Sequence, residues 1–138
     1  MKRVLLIEDS MDDQELIKRA IRKSGYGIDV MLSDNGEHAL EALNITKKGA
    51  KQNLPQIVLL DLKIPKLSGK EVLKEIRLNS HTKMLPVVIF TSSREESDLN
   101  ECYLLGANSF IRKPVNADDF NKAVDLIISY WFHLNELP

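Results

Sequence analysis

Three carboxylates have the types and the placement to do chemistry. Glu8 and Asp9 follow the apolar run Val4 to Ile7, and Asp61 follows the run Ile57 to Leu60. If both runs are strands of one parallel sheet, their carboxyl ends share an edge, and the acids meet where open α/β sheets bind ligands. Two unit charges about 4 Å apart repel by roughly 4 kcal/mol at an effective dielectric near 20, so such a cluster calls for a cation. An oxygen-only donor set suits a hard ion, and no histidine or cysteine lies in these segments to favour zinc or copper. Magnesium is the leading candidate, with manganese as a substitute.

Two more run ends add polar groups to the same edge. Thr91, with Ser92 and Ser93, follows Val87 to Phe90, and Lys113-Pro114 follows Ser109 to Ile111. A carboxylate able to act as nucleophile, a metal site, a hydroxyl and an ammonium form the set that phosphoryl transfer needs. Its transition state spreads negative charge over three equatorial oxygens that those groups must share.

Positioning these residues is the work of the elements between them. The runs Val4–Ile7, Ile57–Leu60 and Val87–Phe90 show no polar alternation, as expected of central strands covered on both faces, while Ile28–Leu32 and Ser109–Ile111 read as outer strands. Apolar residues at helical spacing lie between and after them: Leu16, Ile17, Ala20 and Ile21; Ala39, Leu40 and Leu43; Val72, Leu73 and Ile76; Leu99 and Tyr103; Phe120, Ala123, Val124 and Ile127. Capping-box spacing at Asp34/Glu37, Ser68/Glu71 and Ser93/Glu96 marks helix starts, Gly25 and Gly106 mark ends, and Lys47 to Asn53 reads as a surface loop. Five βα units predict an α/β fold, a doubly wound five-stranded parallel sheet. In the flavodoxin-like (βα)5 order 2-1-3-4-5, the switch point falls between strands one and three, which carry the acids.

The chain has 138 residues, 43% hydrophobic and 28% charged, enough for one core, so a single domain over 1–138 is expected. Its 19 basic and 20 acidic residues give a net charge of −1, which offers nucleic acid no long-range attraction. The apolar run after Met1-Lys2-Arg3 is too short for a signal peptide and no run is long enough to span a membrane, so a cytoplasmic location is expected. Cys102, in an apolar helical stretch, reads as a buried structural thiol, and His38, His81 and His133 as solvated surface residues.

The motifs Leu6-Ile7-Glu8-Asp9, Leu59-Leu60-Asp61-Leu62-Lys63-Ile64-Pro65, Phe90-Thr91-Ser92 and Lys113-Pro114 stand in the order and spacing of two-component response regulator receiver domains. The chain resembles that family over nearly its whole length. The stretch Asp61 to Lys66 and the tail Tyr130-Trp131-Phe132 to Leu137-Pro138 make it similar to the stand-alone receivers paired with phytochrome-type kinases. The resemblance implies that Asp61 accepts a phosphoryl group from a sensor histidine kinase, phytochrome-type or hybrid. Magnesium would be held by Asp9, Asp61, the Lys63 backbone carbonyl and, mainly through water, Glu8. Lys113 and Thr91 would bind the phosphoryl group, and Phe110 would turn inward behind it or serve as a plain core residue. The Lys113-Pro114 bond is a candidate for the cis form. Lys63 and Ser93 stand at positions that flank the phosphoryl group in the family.

A receiver without an output domain would signal through protein contacts. The face made by the fourth helix, fifth strand and fifth helix, with the tail aromatics, is the candidate homodimer or partner surface; the tail could equally fold back onto the body. On this reading the chain is a phosphoacceptor with at most slow self-hydrolysis, not an enzyme. The alternatives are a phosphate-independent adaptor of the same fold and an aspartate-nucleophile phosphatase of the haloacid-dehalogenase type. The second lacks its second acid, because Asp9 is followed by Ser10 and Met11. Nucleotide or flavin binding is disfavoured too, since no glycine-rich loop follows the first strand.

Overall fold

Continuous apolar runs become strands whose alternate side chains feed two cores, one on each side of a single sheet. A computed structural model describes residues 2–43 and 54–138; the expected surface loop at Lys47 to Asn53 lies outside them. In chain order the elements are β1 Arg3–Ile7, α1 Met11–Ser24, β2 Asp29–Ser33, α2 Gly36–Ala42, β3 Ile57–Leu60, α3 Gly69–Leu78, β4 Val87–Thr91, α4 Glu96–Leu104, β5 Ser109–Arg112 and α5 Ala117–Ser129, which runs into a π-helical turn at Tyr130–Leu134. All strands are parallel, in the order β2-β1-β3-β4-β5. This is the doubly wound sheet that the sequence predicts.

Leu5, Ile7, Val58, Leu60, Val87 and Ile89 point to one side and meet α2, α3 and Cys102 of α4. Val4, Leu6, Ile57, Leu59, Val88 and Phe90 point to the other and meet α1 and α5, with the Phe90 and Phe120 rings edge to face at 5.1 Å. Burial on both faces is why β1, β3 and β4 carry no polar alternation, whereas the edge strands β2 and β5 remain half exposed. Trp131 and Phe132 fold back onto the second core, while Tyr130 and Leu134 stay largely exposed.

Ser68 caps α3 as its spacing predicts: its hydroxyl accepts from Glu71 N and donates to the Glu71 carboxylate. The other two capping boxes do not form. Asn35, one residue later than Asp34, caps α2 by accepting from His38 N at 2.9 Å. At α4 the N-cap is Glu95 with no side-chain bond, because the Ser93 hydroxyl is drawn to the Asp98 carboxylate instead. Gly25 ends α1 at a φ of 76°, the left-handed conformation that glycine adopts without strain.

Arg77 fixes the opposite end of the sheet from the acids. Its guanidinium donates to the carbonyls of Lys83, Leu85 and Gly106 and to Asn108 Oδ1. At the functional end the loop after β3 turns tightly onto α3. Gly69 N donates to Leu62 O at 2.9 Å, and a Cβ at Gly69 would lie 2.5 Å from the Asp61 carbonyl oxygen. Gly69→Ala is therefore expected to displace backbone beside Asp61 and to lower stability by about 2 kcal/mol or more. Equilibrium urea unfolding of the two proteins measures this.

Candidate functional site

Register decides what meets at the carboxyl edge. Ile7 pairs with Leu60 and Asp61 N donates to Ile7 O, so the residues that follow, Glu8 and Asp61, sit side by side. One carboxylate oxygen from each of Glu8, Asp9 and Asp61 lies within 4.8 Å of the others. Glu8 and Asp61 are buried, at 1% and 7% exposure, and Asp9 is exposed at the rim. On the far side Thr91 pairs with Arg112, and Lys113 N donates to Thr91 O at 2.7 Å, which starts the lysine side chain beside the same edge.

The ammonium of Lys113 closes the cluster. Its Nζ lies 2.6 Å from Glu8 Oε1, 2.9 Å from Asp61 Oδ2 and 2.7 Å from Asp13 Oδ2. Burial by itself would lower the lysine pKa, but its bonds to Asp13, Asp61 and Glu8 outweigh that and hold it above the ordinary range. Lys113 is thus a fixed cation. Glu8 moves the other way. Burial, with Asp61 adding to it, pushes its carboxyl up to about 7 against the opposing bonds from Lys113 and Ser10.

The other oxygens of the two buried acids are held by backbone. Ser10 N donates to Glu8 Oε2 at 3.1 Å, and Leu62 N donates to Asp61 Oδ1 at 2.7 Å. The Glu8 carbonyl accepts from the buried Gln14 amide at 2.8 Å, tying the acid to α1. Thr91 is fully buried, and its hydroxyl accepts from Ser93 N. Phe110 is half-buried on β5 against the first core, with the Arg112 guanidinium carbon 5.9 Å from its ring centroid. Lys63 is exposed in the loop after Asp61. That loop contains Lys66 at a φ of 73°, a strained turn for a residue with a Cβ.

In two places the site differs from the sequence expectation. The Lys113-Pro114 peptide is trans, as no cis bond occurs among the described residues. A trans bond suffices because Lys113 already points across Thr91 into the acid cluster. Asp13 was not expected at all. The reason is that an acid in the first turn of a helix reads as a complement to its dipole, and Ser10 does cap α1 by accepting from Asp13 N. Its spacing, one helical turn beyond Asp9, was the available signal. Of the histidines, His81 and His133 lie away from the cluster, while exposed His38 bonds Ser33 Oγ at 2.9 Å where β2 ends.

The donor set fits a divalent cation: the clustered ligands are all carboxylate oxygens, three acids share one ammonium, and Asp9 at the rim adds a fourth negative charge.

A parallel sheet of this order with these groups at its carboxyl edge defines a receiver domain. Residues 4–125 match the response regulator receiver domain, and the chain belongs to that family. It is 34% identical to response regulator Rcp1 of Synechocystis sp. over 137 residues, covering 99% of this chain and 93% of Rcp1. The probable methanogenesis regulatory protein FilR2 of Methanothrix harundinacea is 35% identical over 135 residues, 98% of this chain and 86% of FilR2. The crystal structure of the Mn(2+)-bound form of Rcp1 matches with a TM-score of 0.92, covering 100% of this chain and 99% of that one. The phosphorylated cyanobacterial phytochrome response regulator RcpA matches at 0.93 with 33% identity, covering 99% of this chain and 98% of its own.

Glu8 sets an expected pH dependence. A folded-state pKa of about 7 means that between pH 4.5 and 7 the native protein binds more protons than the unfolded chain. Stability without metal should therefore fall as pH rises through that window. A cation that needs Glu8 ionised must displace its proton, so apparent affinity should drop by up to about tenfold per unit below pH 7. Calorimetric titration with manganese at pH 6 and pH 8 gives both the ratio and the proton release. In Asp61→Asn, removal of a neighbouring negative charge should lower the Glu8 pKa, read from its carboxyl carbon shift by NMR.

Proposed function

We propose that this chain is a phosphoacceptor response regulator, in which Asp61 takes a phosphoryl group from the phosphohistidine of a sensor histidine kinase in a magnesium-dependent reaction. One observation carries the reading: Lys113 bridges Glu8 and Asp61 at the point where the acids cluster. An Asp61 oxygen attacks phosphorus, the P–N bond breaks, and the pair returns to the imidazole as the acyl phosphate forms. Lys113, held cationic, pairs with Asp61 beforehand and with a phosphoryl oxygen afterwards. The Thr91 hydroxyl bonds another oxygen, and Phe110 turns inward behind it. Asp9, Asp61, the Lys63 carbonyl and, mainly through water, Glu8 would hold magnesium, which would supply positive charge to the transferring group. Asp13 shares Lys113 with Asp61 and so sets how much of that ammonium the phosphoryl group receives.

The relatives support this reading, one being a manganese-bound form and another a phosphorylated phytochrome response regulator. By analogy with the latter, the kinase partner is phytochrome-type. The domain works as one unit in the cytoplasm, without enzymatic turnover beyond slow self-hydrolysis, and its output is a protein contact. No helix among the described residues is long and apolar enough to cross a membrane.

Incubation with magnesium and acetyl phosphate should add one labile phosphoryl mass to the wild type and none to Asp61→Asn. No gain in either protein would favour the phosphate-independent adaptor. For the output face, exposed Leu126 and Tyr130 flank a cavity of about 430 Å³ beside β5 and α5, and we assign it to self-association. Tyr130→Glu is expected to shift any dimer seen by sedimentation velocity to monomer; an unchanged mass would remove this face from the proposal.

A further inference from the structure

Lys70, Asp98, Ser93 and Thr91, outside the acid cluster, form a continuous polar chain that ends at the Thr91 hydroxyl. Lys70, in the first turn of α3, follows Gly69, whose backbone packs against Asp61. The Lys70 ammonium lies 2.6 Å from Asp98 Oδ1 and 2.6 Å from Glu101 Oε2, one turn apart on α4. Asp98 Oδ2 accepts the Ser93 hydroxyl at 2.5 Å. Ser93 Oγ in turn accepts from Glu95 N, and Ser93 N donates to the Thr91 hydroxyl, each at 3.3 Å.

Without this chain α4 is weakly held. It has no side-chain N-cap, and Cys102 is its only buried residue. Its sequence carries Glu96, Asp98 and Glu101 and no lysine or arginine, so its acids repel one another until a cation from elsewhere meets them. Lys70 is that cation. The Lys70 and Asp98 side chains are 27% and 22% exposed, so solvent screens this pair less than the one with Glu101, which is 55% exposed. Both charges respond as partners do: bonding to Asp98 and Glu101 raises Lys70, and bonding to Lys70 and Ser93 lowers Asp98.

We propose that Lys70 is a positioning residue: through Asp98 and Ser93 it latches the segment from Thr91 to Glu95 and the start of α4 in their resting arrangement. This rests on the phosphoacceptor reading for its consequence. A buried Thr91 hydroxyl bonded back to its own loop reaches a phosphoryl group on Asp61 only when that loop shifts, and a latch that favours the resting state opposes the shift. Lys70 thus joins the acceptor loop, through α3, to the helix whose displacement would carry a signal.

The test uses the full chain as wild type, Lys70→Met, Lys70→Arg and Asp98→Asn. In the unmodified proteins, amide hydrogen exchange at Ser93 and Glu95 should rise about tenfold in Lys70→Met and Asp98→Asn and stay near wild type in Lys70→Arg. With saturating magnesium and acetyl phosphate, the first two should acquire the phosphoryl group at least about threefold faster, with unchanged metal affinity. Unchanged exchange at Ser93 and Glu95, or an equal rise in Lys70→Arg and Lys70→Met, would overturn the latch. Raised exchange with an unchanged or slower phosphorylation rate would overturn the positioning role. A wild type that takes no phosphoryl group would defeat the phosphoacceptor reading instead, while the exchange rates would still decide the latch.

Discussion

A buried ammonium among carboxylates is the constraint on which this architecture turns. Glu8 and Asp61 lie on neighbouring strands with little solvent, and their repulsion in that setting would cost several kcal/mol if nothing answered it. Lys113 answers it from β5, two strands away from Asp61, so its position makes the site a property of the whole sheet. The same crowding leaves Glu8 with a proton affinity far above that of an exposed glutamate. One interaction therefore links charge balance, protonation and the order of the strands.

The compensation is incomplete. Three acids share one ammonium and Asp9 lies beside them, so the pocket keeps an excess of negative charge that a further cation would offset. Backbone groups of Ser10 and Leu62 hold the oxygens that Lys113 does not take, which fixes the carboxylates before any ligand arrives. Charge prepositioned in this way needs little reorganisation when a ligand enters. The other side is less secured: the loop after Thr91 and the start of α4 depend on a short polar chain rather than on a deep apolar core.

The two faces of the sheet divide the work. On one side α1 carries Asp13 and Gln14 to the site while packing against α5 and the folded-back tail. On the other, α3 starts so close to Asp61 that only a glycine fits at Gly69. Close packing there, with Arg77 pinning the far end of the sheet, gives the acids a fixed frame.

Periodicity and the ends of apolar runs determined the doubly wound class and placed Glu8, Asp9, Asp61, Thr91 and Lys113 at one edge, because burial on both faces of a parallel sheet dictates a recognisable pattern; the strand order came from the flavodoxin-like choice among such folds. Local spacing was less informative where competing partners existed. Asn35 displaced Asp34 as a cap, and Ser93 left its helix for Asp98, since a hydroxyl or amide bonds whichever group packing brings nearest. The trans bond at Pro114 and the role of Asp13 were likewise decided by the assembled fold. Each depends on how far Lys113 reaches across the sheet, a distance between residues 100 or more positions apart in the case of Asp13, which no local pattern encodes.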